Sequence, residues 1–194
     1  MSSWLSSLLE QSWLVLLLAG VLGASLAAVD RSLQPRIQRN AQERLEKAIL
    51  EVVPKGTASK LIKLDDGRVV YKVTDGGSVV GWAVPSETLG FQDKIKLLVG
   101  LSPDGSKITG IQVISSLETP GLGDKIKTET FRKQFIGKSA EEPVNVVKAG
   151  ESASNSIDAI TGATISSRAV TKAVNAATSW ASKEVKKLAG GARK

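Results

Sequence analysis

The spacing of apolar positions changes three times along the chain. From Trp13 to Val29 they run without a charge, as WLVLLLAGVLGASLAAV, for about 17 residues, the short end of what crosses a bilayer. Leu5–Leu9 lengthens the apolar reach, interrupted by Glu10, and Trp4 and Trp13 suit a headgroup-level anchor. The competing reading is a cleaved signal peptide, since Ser25-Leu26-Ala27 resembles a small-x-small cleavage site. No basic residue precedes the apolar run, which favours a retained anchor. After it the spacing becomes helical: Ile37, Ala41, Leu45, Ala48, Ile49 and Val52 recur at three and four, with Pro35 at the expected start and Pro54 and Gly56 at the end.

Alternation then takes over. Val69–Val73 and Val79–Val84 read as strands around the turn Asp75-Gly76-Gly77. Ile95–Leu101 and Ile108–Ser115 read as a second pair around Pro103-Asp104-Gly105. Two successive hairpins predict an antiparallel sheet. Phe131–Ile136 reads as a short helix and Val144–Val147 as a further strand. From Ala163 to Leu188 the helical period returns, with Ile165, Ala169, Ala173, Val174, Ala177 and Trp180 as the expected buried stripe. Lys183, Lys186 and Lys187 stand toward its C-terminal end, where they suit the helix dipole. The expected class is α+β: an N-terminal transmembrane helix (1–30), a linking amphipathic helix (31–56), a domain with an antiparallel sheet packed by helices (57–189) and a frayed tail (190–194).

Composition narrows the chemistry. Lys and Arg number 26 against 19 Asp and Glu, and every one of the basic residues follows residue 30. The charges are dispersed, and one Tyr and three Phe leave little for base stacking, so nucleic acid is not the expected partner. With no Cys and no His the chain lacks the usual ligands of zinc, haem and iron–sulfur clusters, and any thiol or histidine-activated nucleophile. Redox chemistry here would need a borrowed organic group; no metal site is expected. Arg31, Arg36 and Arg39 follow the anchor with no basic residue before it, which by charge alone places the large domain in the cytoplasm.

One segment concentrates the remaining signal: Asp158-Ala159-Ile160-Thr161-Gly162-Ala163-Thr164-Ile165-Ser166-Ser167. It reads as a loop entering a helix, with Thr161 as a candidate cap and Gly162 permitting a tight turn. The free N–H groups of a first helical turn attract a phosphate. Thr164, Ser166 and Ser167 add hydroxyls and Arg168 a cation. On this segment alone an ordinary capped helix with small packing residues is the favoured reading, because Ser and Thr caps are common. Glu118-Thr119-Pro120-Gly121-Leu122-Gly123 is a turn-forming loop whose proline fixes a dihedral and whose glycines allow close approach to a flat ligand.

Together these segments resemble the FMN-binding domains found in the G subunit of the Rnf electron-transport complex and in the C subunit of the sodium-translocating NADH:quinone oxidoreductase. DAITGATISS is similar to their flavinylation motif, Asp-x-x-(Ser/Thr)-Gly-Ala-Thr, which Asp158, Thr161, Gly162, Ala163 and Thr164 match. ETPGLG is similar to their loop beside the isoalloxazine, carried by Glu118, Thr119, Gly121, Leu122 and Gly123. A histidine often precedes that glutamate in the family; Ser115, Ser116 and Leu117 stand here instead. The chain length is closer to that of the Rnf protein. The resemblance implies FMN bound covalently through a phosphoester to Thr164, installed by a flavin transferase. It implies no catalytic residue, but an electron relay working with the other membrane subunits of an Rnf-type ion-translocating complex. The implied place is the inner membrane, single-pass, with the FMN domain on the outer face, against the arginine count. The other readings are an FMN subunit of another membrane or extracellular electron-transfer system, and a cofactor-free membrane-tethered assembly domain.

Overall fold

The computed structural model describes the backbone of residues 2–148, 150–151 and 153–191, and the side chains of 12–148, 150–151 and 153–189. The side chains of Trp4 and Leu5–Leu9 and the tail from Ala192 to Lys194 lie outside the described residues. Two compact units divide between Glu43 and Arg44.

Helix α1 runs from Ser2 to Val52 without interruption. Pro35, expected to begin a second helix, lies inside it. The proline removes one N–H and leaves the carbonyl of Arg31 without its helical donor. The side chains around it are exposed, so that carbonyl is open to solvent rather than sealed in a core. Within the first unit the apolar run from Trp13 to Val29 is also exposed, and the helix is long and apolar enough there to cross a membrane. At 1.5 Å per residue that run spans about 26 Å, close to the thickness of a hydrocarbon core.

The second unit is built on a five-stranded antiparallel meander in sequence order, β1 Ala58–Lys63, β2 Val69–Asp75, β3 Ser78–Leu89, β4 Lys94–Leu101 and β5 Ile108–Ser115. The two expected hairpins are present with their turns. Strand β1 was not anticipated: its residues, ASKLIK, are almost all exposed at the sheet edge and carry no alternating apolar signal. Strand β3 runs on to Leu89 through Pro85. The pairing of β2 with β3 stops at Tyr71 and Ala83, so at Pro85 only β4 pairs with β3, the kind of edge position that admits proline in a strand. Beyond the sheet come a 3-10 turn Gly123–Lys127, a short helix α2 Glu129–Lys133, and a parallel pair of short strands, β6 Asn145–Val147 and β7 Ser156–Asp158. Phe131 and Phe135 are buried and meet edge-to-face at 5.7 Å, whereas Ile136 is exposed.

The long helix α3, Thr164–Gly191, covers one face of the sheet. Ala169, Val170, Ala173, Val174, Ala177, Ala181 and Val185 form its buried stripe against Trp82, Leu97, Val99 and Leu101. Two members of the expected stripe differ. Trp180 is only partly buried and carries the Arg68 guanidinium 4.3 Å from its ring; Ile165 is exposed, in the first turn, before α3 reaches the sheet. Each fully buried Val or Leu of this core contributes roughly 1.5–3 kcal/mol. Polar pins fix the helix along its length: Ser86 Oγ donates to the Ala173 carbonyl at 2.9 Å, and the Asn175 amide both accepts from and donates to Val144.

The last turns of α1, from Arg44 on, dock on the opposite face. Leu45, Ala48, Ile49, Val52 and Val53 pack with Val73, Ala83 and Leu98. The approach is close because Gly81 and Gly100 face the helix end: a Cβ on Gly100 would collide with the Val52 carbonyl. That carbonyl, one of those a helix end leaves without a partner, accepts the Thr109 hydroxyl at 2.5 Å.

Candidate functional site

Three loops meet at the N-terminal end of α3. The turn Ile160–Ala163 is closed by the Ala163 N–H on the Ile160 carbonyl at 2.9 Å. Gly162 holds φ +79° in it, a conformation that penalises any residue with a Cβ. Helix α3 therefore begins at Thr164, preceded by Ala163, and Thr161 is not its cap. Ser167 serves the turn instead: its Oγ accepts the Ile160 N–H at 3.0 Å and donates to the Ala163 carbonyl at 2.9 Å. The second loop, Thr119–Gly123, folds on its own carbonyl, Thr119 O accepting from the N–H groups of Leu122 and Asp124 at 3.2 Å each. The third is the β3–β4 connection, where the Gly90 N–H donates to the Asp93 carbonyl at 2.9 Å.

Between them lies a concavity of about 390 Å³, lined by Phe91, Thr119, Leu122, Gly123, Gly162, Ala163, Thr164, Ile165 and Ser166. Of the residues singled out from the sequence, Thr119, Leu122, Gly123, Gly162, Ala163 and Thr164 come together on this wall. The Thr164 side chain is exposed at the start of the helix. Among the described residues no acceptor meets the N–H groups of Thr164, Ile165 or Ser166, as is usual in a first turn.

The other sequence candidates stand elsewhere. Asp158 lies in β7, exposed, its backbone N–H donating to Gln134 Oε1 at 2.7 Å, and it lines a different hollow with Gln134, Lys138 and Glu151. Thr161 is exposed and outside the lining. Gly121 is exposed at φ +74° with open space where a Cβ would be. Glu118 is buried and points into the protein. Ser166 and Ser167, read as hydroxyls for a phosphate, both spend their hydroxyls inside the chain. Arg168 is exposed and makes no ion pair among the described residues.

Phe91 and Ile165 join the wall without having been placed in it beforehand, and Ser166, expected to offer its hydroxyl to a phosphate, lines it with that hydroxyl turned to Glu118. Phe91 had a legible signal, a lone aromatic beside Gly90 between two strands. Ile165 was misassigned by the helical period, which assumes that every apolar position of α3 faces the sheet.

Exposed Phe91, Leu122 and Ile165 give the concavity an apolar rim, and the free first-turn N–H groups give it a polar, electropositive end. A flat aromatic group bearing a phosphate fits both features, with the Thr164 hydroxyl at the phosphate end. The family model described as FMN-binding domain matches residues 90–179, which include all three loops. The G subunit of the ion-translocating oxidoreductase complex of Methanosarcina acetivorans is 35% identical over 178 residues, covering 87% of this chain and 91% of the relative. The G subunit of the Na(+)-translocating ferredoxin:NAD(+) oxidoreductase complex of Acetobacterium woodii is 43% identical over 143 residues, covering 69% and 68%. The crystal structure of the C subunit of the Na(+)-translocating NADH-quinone reductase of Parabacteroides distasonis shares the fold, with TM-score 0.64 at 21% identity, covering 81% of this chain and 96% of that one. Shewanella oneidensis NqrC does so with TM-score 0.57 at 23% identity and 74% of each chain. The site and fold are thus those of an FMN-binding domain. The chain belongs to the G-subunit family of ion-translocating oxidoreductase complexes.

Proposed function

We propose that this chain is the membrane-anchored flavoprotein subunit of an ion-translocating, Rnf-type electron-transfer complex, and that it holds FMN through a phosphoester on Thr164. The observation that carries this reading is the position of Thr164: its hydroxyl is exposed on the wall of the concavity, in the helical turn whose N–H groups are free. FMN exchanges one or two electrons and so links one-electron with two-electron partners; the protein contributes placement and electrostatics. The first turn of α3 favours the phosphate through its N–H groups and dipole. Phe91, Leu122 and Ile165 offer apolar surface to the ring, and Thr119–Gly123 offers a backbone edge. Thr164 is an attachment point, not a participant in electron transfer, and its esterification falls to a flavin transferase. The apolar part of α1 holds the chain in the membrane beside the other subunits.

We place the flavin domain on the outer face, where its partners and the transferase would meet it. A cysteine replacing exposed Lys183, in a chain with none of its own, tests this. It should react with a membrane-impermeant maleimide in intact cells; labelling only after lysis would reverse the assignment. For the attachment, Thr164→Val co-produced with a flavin transferase should lose all flavin fluorescence on a denaturing gel while keeping its circular dichroism. Thr164→Ser should retain part of it. A fluorescent band in Thr164→Val would move the attachment site elsewhere.

A further inference from the structure

We propose that Glu118 is the positioning residue of this site, a buried carboxylate that ties the three loops together and sets the Phe91 wall against the Thr164 turn. The proposal rests on the flavin reading above. It goes beyond it by giving Glu118, which the family's loop motif would place beside the ligand, a task inside the protein.

Glu118 is 5% exposed and is not part of the lining of the concavity. Its Oε1 accepts the backbone N–H groups of Phe91 at 2.9 Å and Gln92 at 3.3 Å, across 27 and 26 residues of chain. Its Oε2 accepts the Ser166 hydroxyl at 2.5 Å, across 48 residues. A carboxylate is an acceptor with room for about four donors, and here three arrive from two segments remote in sequence. The socket is cut to its shape. A Cβ on Gly90 would overlap Glu118 Oε1, and a Cβ on Gly123 would stand 2.8 Å from both Glu118 Oε2 and Ser166 Oγ. Two glycines, one in each of two loops, are thus explained by the space the carboxylate occupies.

The residues that Glu118 holds are themselves wall residues. Phe91 and Ser166 line the concavity on either side, and Thr164 lies two positions before Ser166. Without the carboxylate nothing else among the described residues bonds the Phe91 and Gln92 N–H groups, and Ser166 Oγ has no other partner. The loops carry few buried apolar side chains of their own: Phe91, Leu117 and Leu122 are all exposed. Glu118 therefore decides where Phe91 stands relative to the attachment turn, and with it the polarity and solvent access around a bound ring.

The test uses the full chain as wild type, Glu118→Ala, Glu118→Gln and Ser166→Ala. Amide hydrogen exchange is read on the flavin-free protein, and the absorption spectrum and midpoint potential on protein co-produced with a flavin transferase. Glu118→Ala should speed exchange at least about tenfold at Phe91 and Gln92 and at Ser167, the bonded amide of the 164–167 turn, with β4 and β5 unchanged. Glu118→Gln, which keeps an acceptor for Phe91 and Gln92, should restore slow exchange at 90–93. Ser166→Ala should speed exchange at Ser167 alone. In loaded protein the spectrum and potential should shift most in Glu118→Ala and least in Glu118→Gln. Exchange changes confined to 117–119, or loaded spectra and potentials equal to wild type, would overturn the proposal. So would a shifted potential with unaltered exchange, which would mean that Glu118 meets the flavin directly. Should Glu118→Ala fail to fold, the contrast between Glu118→Gln and Ser166→Ala decides the matter alone. A wild type that takes up no flavin would sink the functional reading, while the exchange data would still decide whether the clamp exists.

Discussion

The docking of α1 on the sheet and the concavity at the head of α3 both depend on glycine, for opposite reasons. At the docking end Gly81 and Gly100 have no Cβ because the space is full: the Val52 and Leu101 carbonyls and the Val53 side chain stand where it would go. In the Thr119–Gly123 loop, outside the lining of the concavity, Gly121 lacks a Cβ although the space around it is empty; its constraint is a backbone at φ +74°. A filled glycine marks a packed seam. An open one with a positive φ marks a turn whose backbone path, not its neighbours, demands glycine. Gly90 and Gly123 are a third use, spaces filled by one carboxylate. Motif reading treats all of these alike, as freedom to approach; the structure separates them.

The contrast predicts mutational effects of different size. The largest belongs to the packed seam. Gly100→Val drives a branched side chain into the Val52 carbonyl and the Thr109 hydroxyl that donates to it, and should cost about 3 kcal/mol, seen as a lower urea midpoint. Next comes the open loop. Gly121→Ala meets nothing but must hold a left-handed backbone, a penalty of about 1–2 kcal/mol, while leaving the adduct on Thr164 and shifting flavin absorbance. Equal losses in the two variants would erase the distinction.

A smaller effect of opposite sign is expected where the chain places no glycine. Lys55, just past α1, sits at φ +81°. Lys55→Gly should relieve about 1–2 kcal/mol of strain and return about half of that through a more disordered unfolded chain, a net gain of about 0.5–1 kcal/mol in thermal unfolding. The smallest effect lies in the β4–β5 turn, far from any ligand. There the Ser102 hydroxyl, followed by that of Ser106, holds the Asp104 carboxyl down at about 2, below its ordinary 3.8. A depressed carboxylate stabilises the fold fully above its unfolded value and loses that contribution as acid carries it down through the folded one. Stability should therefore fall slightly between about pH 4 and pH 2, and Asp104→Asn should remove that slope without affecting the flavin.

Much of the sheet was legible because β2 to β5 alternate or run apolar between strong turn residues, and each strand had a neighbour one turn away. Strand β1 was not, since an exposed edge strand needs no apolar face. Pro35 misled because proline suits a first helical turn; inside an exposed stretch of helix the carbonyl it frees is solvated instead. At the site, the TGAT turn and the Thr119–Gly123 loop were visible as motifs. The partners that give those motifs shape were not. Glu118 reaches Phe91 and Ser166 across 27 and 48 residues, and no local pattern encodes a contact of that range.

The central claim is a covalent flavin on one threonine, and peptide mapping by mass spectrometry addresses it most directly. Full-length protein from its native membrane is denatured, digested with trypsin and sequenced in the spectrometer. Cleavage after Lys148 and Arg168 isolates residues 149–168, in which Thr164 can be told from Thr161 by its fragments. The account predicts an FMN phosphoester on this peptide, located at Thr164. An unmodified peptide from protein whose yellow colour is lost on denaturation, or an adduct at Thr161, would contradict it.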